Sequence, residues 1–341
     1  MDDIDFLIIG AGLAGLSCAR SLSEAGKTVR VLERSGRVGG RCASKGVGSG
    51  IEVDFGPIFV HGDDQEFLGW VKGLGHELIP GWPRVVEGAG TPCQPQAFDP
   101  LQQRFGVKPG IRRLAESLAQ GLDVVTGTSV EALEWSDGVG AVASDGQRFS
   151  ARHGVVATAL EQTRRLVDTL VPQLPPGIPA LLGQFSSLPC LTLLAEYGPE
   201  TPLPPWDVLY PEGSRVLLLV SNEGTKRSLG RGGGVLLLQA RPGWSAGHLD
   251  TDRAQWSEHL LGEAAALMGP WAARPTAIVS HRWKYGRVAA SDHLVRPMVL
   301  DRPGSPAVWG LAGDLFDPDG GLQGAWRSGR RLAQRLMAVS G

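Results

Sequence analysis

Three glycines, Gly10, Gly12 and Gly15, form a G-x-G-x-x-G, and an acid, Glu33, follows about twenty residues later. That spacing can hold a dinucleotide. Gly10 turns the chain tightly, Gly12 lets a pyrophosphate approach the backbone, and Gly15 lets a helix pack closely on the strand before it. Leu13 and Ala14 open that helix, whose first N–H groups and dipole face a phosphate. Glu33 is placed to accept from a ribose 2′-hydroxyl, and an acid there favours an unphosphorylated ribose, which leaves NAD or FAD. A second chemistry-bearing stretch is His281-Arg282-Trp283-Lys284-Tyr285. A period of two puts His281, Trp283 and Tyr285 on one strand face and Arg282 and Lys284 on the other. An imidazole beside an indole can line a reaction site or close a hydrophobic core.

The elements that must position these residues are legible around them. Phe6-Leu7-Ile8-Ile9 is a short, bounded apolar run, the pattern of a buried parallel strand. Leu13, Leu16, Ala19 and Leu22 recur at helical spacing up to Gly26, and Thr28–Leu32 reads as the next strand. Ile51, Val53 and Phe55 alternate toward Gly56-Pro57, and 65–74 reads as helix. Pro109 suits a first helical residue before Ile111, Leu114, Ala115 and Leu118. Val124-Val125 and His153–Thr158 read as strands, and 141–149 as a hairpin turning at Asp145-Gly146. After a cluster at Pro172, Pro175, Pro176 and Pro179, four strand candidates follow without helices between them: 191–197, 206–210, 215–221 and 235–240. That order implies a mostly antiparallel sheet, with a helix over 252–268 packed on it. Gly232-Gly233-Gly234 lacks phosphate-loop spacing and reads as a tight turn.

Composition narrows the partners. Lys and Arg total 33 against 35 Asp and Glu, a net charge of -2, which offers no broad field for nucleic acid or an anionic membrane. Cys18, Cys42, Cys93 and Cys190 form no C-x-x-C pair and no metal-ligand spacing, and Asp317 and Asp319 flank a proline in a turn, so no metal site is expected. No apolar run reaches about 18 residues and the acidic N-terminus is unlike a signal peptide, which predicts a cytoplasmic protein without a membrane span.

Beyond Glu33 the chain reads Arg34-Ser35-Gly36-Arg37-Val38-Gly39-Gly40-Arg41, which resembles the extended E-R-x-x-R-x-G-G-R fingerprint of the flavin amine oxidase superfamily. The resemblance continues at both ends. Asp54–Val60 is similar to the D-x-G-A-Q-F-F region of renalase-like proteins, with Pro57 and Ile58 departing from it. His281–Tyr285 resembles their H-R-W-R-Y, and Gly313-Asp314 with Gly321-Leu322-Gln323-Gly324-Ala325 resembles the closing G-D…E-G-A-x-x-S-G, Gln323 replacing glutamate. The resemblance implies FAD as cofactor. It implies Arg34, Gly40 and Arg41 against the pyrophosphate, and Val130 at the adenine through its backbone. It places Gly56 and Pro57 near the flavin ring, Gly313 and Asp314 at the ribityl chain, and Leu322, Gln323 and Ala325 as a helix start aimed at the pyrimidine. It also implies a role for Lys284, since a strand lysine in flavin amine oxidases holds a water against flavin N5. With Trp283 in the core, Lys284 would face the cavity. Arg327, Arg330, Arg331 and Arg335 read as a solvated helix face.

These readings combine into an α/β chain, with a discontinuous Rossmann-type FAD-binding lobe over 1–60, 105–160 and 298–341, and a second, mostly antiparallel-sheet substrate lobe over 61–104 and 161–297. The leading expectation is renalase-like oxidation of a small substrate, a dihydronicotinamide, by hydride transfer to flavin N5 with oxygen as acceptor. Amine oxidation is the alternative, followed by an isoprenoid-type desaturase and by a flavin-binding protein without turnover. Oligomeric state is left open.

Overall fold

The computed structural model describes residues 4–92, 95–171, 173–174, 177–227, 232–289 and 292–339. Cys93, Pro172, Pro175 and Pro176 lie outside the described residues. Contacts divide the chain into two units, Met1–Cys42, Leu114–Ser187 and Arg287–Gly341 in one, Ala43–Arg113 and Leu188–Gly286 in the other.

The first unit is built on a six-stranded sheet in the order Met298–Leu300, Trp309–Leu311, His153–Val156, Phe6–Ile9, Val29–Glu33, Asp123–Thr126. All neighbours pair parallel except Met298–Leu300, which runs antiparallel to Trp309–Leu311. Phe6, Leu7, Ile8 and Ile9 are all buried. That explains the unbroken apolar run: a parallel strand covered on both faces has no polar side to alternate with. The helix Leu13–Glu24 connects Phe6–Ile9 to its neighbour Val29–Glu33 and packs on the closing helix Gly321–Val339. There Gly329 admits the neighbouring backbone, since an added Cβ would lie 2.1 Å from Ala14 O. Ser17 Oγ donates to Trp326 O at 2.7 Å across the same contact. A three-stranded antiparallel sheet, Val130–Trp135, Val139–Ala143 and Arg148–Ala151, completes the unit, with Gly146 at φ +86° in its turn.

The second unit carries a six-stranded sheet in the order Ala277–Val288, Ser187–Pro202, Gly232–Ala240, Leu217–Asn222, Val208–Leu209, Val86–Glu87. Its interior pairs are antiparallel, and the short edge pair Val208–Val86 is parallel. One face packs Trp256, Leu260 and Ala264 of the helix Arg253–Met268, which Asp252 caps by accepting from Ala254 N–H. The other face packs Phe55, Ile58, Phe59, Trp82 and Tyr210. Gly233 and Gly234 hold positive φ within the strand Gly232–Ala240, so the glycines begin a strand and open no phosphate loop.

Several expected boundaries move. The units change after Cys42, Arg113, Ser187 and Gly286, whereas the sequence placed these changes after 60, 104, 160 and 297. The strand Glu52–Asp54 pairs with Ser44–Gly46, and Asp54 is bound by Ile111 N–H, both within the second unit. The helix expected from Pro109 begins at Arg112. Gly110 is pressed against Ser44, an added Cβ lying 2.4 Å from its Oγ, and Asp54 Oδ1 accepts from Ile111 N–H just ahead of the helix, where such N–H groups have no helical partner. Among the described residues no helix is long and apolar enough to cross a membrane, and no His, Cys, Asp and Glu group could hold a metal.

Candidate functional site

In the first unit the strand Phe6–Ile9 delivers the chain into Gly10 at φ +106°, where an added Cβ would lie 2.7 Å from Ala157 O. Gly10 N–H donates to Leu32 O at 2.8 Å, and a Cβ on Gly15 would stand 2.0 Å from Gly10 O. Gly12 differs from both. A Cβ there meets nothing within 4 Å, so its backbone faces open space at the helix start. The helix has no side-chain cap and no acid in its first turn, and Leu13 and Ala14 are buried behind it. Gly39 bridges to Gly12 and donates to Ala11 O at 2.8 Å; Gly40, at φ +54°, is exposed beside it. Glu33 Oε2 accepts from Ala11 N–H at 2.9 Å, and Oε1 accepts from Ser35 N–H and Oγ, each at 2.8 Å. This cradle of open backbone, an uncapped helix start and one acid has the donor set a dinucleotide needs. Arg34 is exposed at its edge.

Arg41 and Asp314 form a bidentate pair, Nη1 to Oδ2 at 2.8 Å and Nη2 to Oδ1 at 2.7 Å. Burial alone would raise the Asp314 carboxyl; the Arg41 charge and its hydrogen bonds outweigh that and hold it below the usual carboxylate range. Gly313 N–H donates to Ser328 Oγ at 3.1 Å, tying the Gly-Asp turn to the closing helix. At that helix start Gln323 is buried and its Nε2 donates to Asp319 Oδ2 at 3.2 Å, Leu322 is half-buried, and Ala325 is buried. Arg327 corrects the expectation of a solvated face: its Nε donates to the fully buried Asp317 at 2.7 Å and its Nη2 reaches Asp317 and Asp319, while Arg331 adds a 3.3 Å contact to Asp317. The turn Asp317–Asp319 is folded onto the helix, which a helical-periodicity reading cannot foresee. Val130 begins an outer strand, half-buried against the core of this unit.

In the second unit the structure gathers His281, Trp283 and Phe55. Trp283 stacks on Phe55 with ring centroids 5.2 Å apart, and its Nε1 donates to Phe55 O at 2.9 Å. His281 meets both rings edge-on, 4.2 Å from Trp283 and 5.0 Å from Phe55. The next residue, Gly56, is half-buried and its carbonyl accepts from Gln239 Nε2 at 2.8 Å; Pro57 follows, also half-buried. Lys284 is not part of this group. Trp283 packs against the segment that carries Gly56, so period two turns Lys284 to the other face of the sheet, where its neighbour Arg282 reaches Thr251 O beside the helix Arg253–Met268. Lys284 is exposed there. The sequence expectation has Lys284 facing the cavity if Trp283 packs in the core; Trp283 does pack on the core cluster around Phe55, and Lys284 stands exposed on the opposite face.

Burial, with repulsion from Arg253 and Lys45, lowers the His281 pKa to about 4. The unfolded chain protonates this imidazole near pH 6.5 and the folded chain only near 4, so the unfolded state binds the extra proton between those values. Stability is therefore lost as pH falls through that window, by on the order of 2 kcal/mol. His281→Gln is expected to flatten the fall of Tm between about pH 7 and pH 4.5 relative to the wild type. Parallel Tm curves for the two proteins would refute it.

Sequence reasoning missed a buried ionic cluster centred on Lys226. Its Nζ donates to Asp54 Oδ2 at 2.8 Å, to Ile58 O at 2.6 Å and to both Glu223 oxygens at 3.1 and 3.2 Å. Glu223 in turn binds Arg227 Nη1 at 2.6 Å and Ser221 Oγ at 2.8 Å. Asp54, Glu223 and Lys226 are fully buried. The one signal available was Glu223, Lys226 and Arg227 at three- and four-residue spacing, which marks a helical ion-pair set.

With this geometry in hand, comparison with known proteins adds the following. A family model described as NAD(P)-binding Rossmann-like domain matches residues 8–74, and one described as Flavin containing amine oxidoreductase matches residues 82–337. The putrescine oxidase of Kocuria rosea is 47% identical over 91 residues, 27% of this chain and 18% of that protein. The L-amino-acid oxidase of Siganus canaliculatus is 36% identical over 75 residues, 22% and 14% of the two chains. The matched stretches thus span less than a fifth of these relatives' own length. Among solved structures, wild-type putrescine oxidase bound to putrescine superposes with a TM-score of 0.74 at 17% identity, covering 98% of this chain and 99% of that one. Cyclohexylamine oxidase from Brevibacterium oxydans gives 0.73 at 15% identity, covering 99% of each chain. These two likenesses bear on the fold alone.

Proposed function

The chain belongs to the flavin containing amine oxidoreductase family, and from that premise we propose that it oxidises a small amine, with molecular oxygen as final acceptor. FAD is the cofactor, and when bound it supplies the two-electron acceptor. The observation that carries the reading is the family match over residues 82–337, a stretch that includes the whole sheet of the second unit. Amine oxidation therefore takes precedence over the renalase-like reading.

The residues take these parts in the proposal. Gly10, Gly12, Leu13, Ala14 and Gly15 present backbone and a helix start to the pyrophosphate, and Glu33 accepts from the ribose. Arg34, Gly40 and Arg41 flank the same phosphates, and Val130 meets the adenine. Gly313 and Asp314 hold the ribityl chain, with Arg41 keeping the Asp314 carboxylate ionised and oriented. Leu322, Gln323 and Ala325 place a helix start at the ring's pyrimidine side, where its positive end favours developing negative charge. His281 and Trp283 with Phe55 form an aromatic wall for the substrate, and His281, held neutral, adds no positive charge beside an ammonium group. In the substrate, the C–H bond next to nitrogen breaks and its electron pair leaves as hydride. The carbon–nitrogen bond becomes an iminium, which water splits to carbonyl product and ammonia or a smaller amine. Oxygen takes the two electrons and two protons as hydrogen peroxide.

Dihydronicotinamide oxidation is the second reading, favoured by the His281–Tyr285 pattern. Anaerobic mixing of the yellow protein with primary and secondary amines, NADH, NADPH and their ring isomers separates the two. Loss of flavin absorbance at about 450 nm with an amine, and none with the dihydronicotinamides, is expected. Bleaching by dihydronicotinamides alone would overturn the proposal.

A further inference from the structure

The closing helix Gly321–Val339 is entered through two consecutive glycines in the left-handed region, Gly320 at φ +57° and Gly321 at φ +59°. Such a pair gives the backbone freedom at the point where the helix direction is set. Side chains take that freedom away. Asp317 Oδ1 accepts from Asp319 N–H at 3.1 Å, and Gly320 N–H donates to Asp317 O at 3.1 Å. From the second turn of the helix Arg327 reaches back. Its Nε donates to Asp317 Oδ2 at 2.7 Å, and its Nη2 donates to Asp317 Oδ1 at 2.5 Å and to Asp319 Oδ2. Gln323 Nε2 binds the same Asp319 oxygen from the first turn. Gly324 lies against the Asp317 carboxylate, an added Cβ standing 3.0 Å from its Oδ1. All of these residues belong to the first unit.

Asp317, fully buried, and Asp319, half-exposed, stand just ahead of the helix start. A carboxylate in that place is drawn to the positive end of the helix dipole and cancels part of it. Arg327 binds both carboxylates at once, so its charge matches theirs and leaves less of them to act on the helix start. We propose that Arg327 is a positioning residue, which pins the Asp317–Gly321 turn and withholds both carboxylates from the helix start, so that the positive end serves the pyrimidine side of the flavin. The inference rests on the proposed placement of that helix start at the ring. Without Arg327 the turn loosens, and two acids beside the helix start oppose the electrons that the ring takes up.

The test compares FAD-loaded Arg327→Gln, Arg327→Lys and Asp319→Asn with wild type and with Leu166→Ala, a core truncation in the helix Leu160–Asp168. In Arg327→Gln, stepwise chemical reduction of the bound FAD is expected to show its two-electron equilibrium displaced toward the oxidised ring by about tenfold, a potential lower by about 30 mV. Amide exchange at 320–323 should accelerate by a similar factor, with amides 7–9 of the buried strand unchanged. Arg327→Lys keeps the charge but cannot fork across two carboxylates, so it should restore most of the potential and little of the protection. Asp319→Asn removes an acid from the helix start and should raise the potential. Leu166→Ala should move neither quantity. An unmoved potential or wild-type exchange at 320–323 in Arg327→Gln, or an equal change in Leu166→Ala, overturns the inference. If Arg327→Gln yields no folded protein, exchange in Arg327→Lys and the potential of Asp319→Asn decide, and a wild-type value in either overturns it. Exchange in wild type with and without FAD checks the placement separately: amides 322 and 323 slowed by FAD uphold it, and unslowed amides overturn both it and the inference. Neither readout uses a substrate, so failure of every amine to reduce the wild type would sink the proposed function and leave this test intact.

Discussion

Replacing Gly15 by alanine is expected to leave the protein without bound FAD and with a lowered Tm, because the added methyl would stand 2.0 Å from Gly10 O, far inside van der Waals contact. The carbonyl has little room to retreat. Gly10 N–H is bound to Leu32 O, and a Cβ-sized space on Gly10 is already closed by Ala157 O at 2.7 Å. The helix must therefore shift off the strand, which opens the loop that a pyrophosphate needs. Overpacking of this kind costs about 1–3 kcal/mol or more. Gly12→Ala provides the contrast, since its methyl meets no protein atom within 4 Å. It should keep the apoprotein's Tm near wild type and still lose flavin, by occupying space the phosphate requires. The flavin-to-protein absorbance ratio and thermal melts of the apoproteins measure both. Gly15→Ala purified with a full complement of flavin would refute the packing argument.

The contrast shows which parts of the molecule a sequence can announce. Gly10, Gly12, Gly15 and Glu33 act through one strand–helix–strand unit, so their spacing along the chain is their spacing in space. The buried strand Phe6–Ile9 and the alternation of 277–288 are equally local and equally readable. Face assignment is not local. Period two separated Trp283 from Lys284 correctly, but which face of the sheet meets Gly56 depends on the Trp283 Nε1 bond to Phe55 O, 228 positions away in the chain. The buried cluster around Lys226 was invisible for the same reason: Asp54 and Ile58 lie 172 and 168 positions from it, and only a five-residue helix, Glu223–Arg227, carries the local signal. Arg327 read as solvated because its partners Asp317 and Asp319 precede the helix in a turn whose path no periodicity describes. The substrate class belongs to this second kind of information, and only the resemblances at Asp54–Val60 and His281–Tyr285 pointed toward dihydronicotinamides.

Arg41 and Asp314 offer the sharpest measurement of a long-range pair, two side chains 273 positions apart that bind each other bidentately. Asp314 is 8% exposed, so removing its partner strands a carboxylate that water reaches poorly. Arg41→Met is expected to destabilise the protein by about 3 kcal/mol, the range seen when one member of a buried pair is deleted. Asp314→Asn strands the guanidinium instead and should cost somewhat less, because Arg41 is the more exposed partner. The double variant should cost well under the sum, with a coupling of about 1–3 kcal/mol in denaturant unfolding of the four proteins. The pH dependence adds an independent reading. The folded Asp314 carboxyl is held below its ordinary range, so its contribution is present above that range and lost as acid protonates it. In Arg41→Met the burial that raises the carboxyl loses its main opponent. Asp314 should then take up a proton at higher pH, and part of the acid loss of stability should disappear from this variant. Strictly additive unfolding energies, or identical acid limbs for wild type and Arg41→Met, would mean that the pair is not coupled and that Arg41 does not hold Asp314 in the state the flavin site is proposed to use.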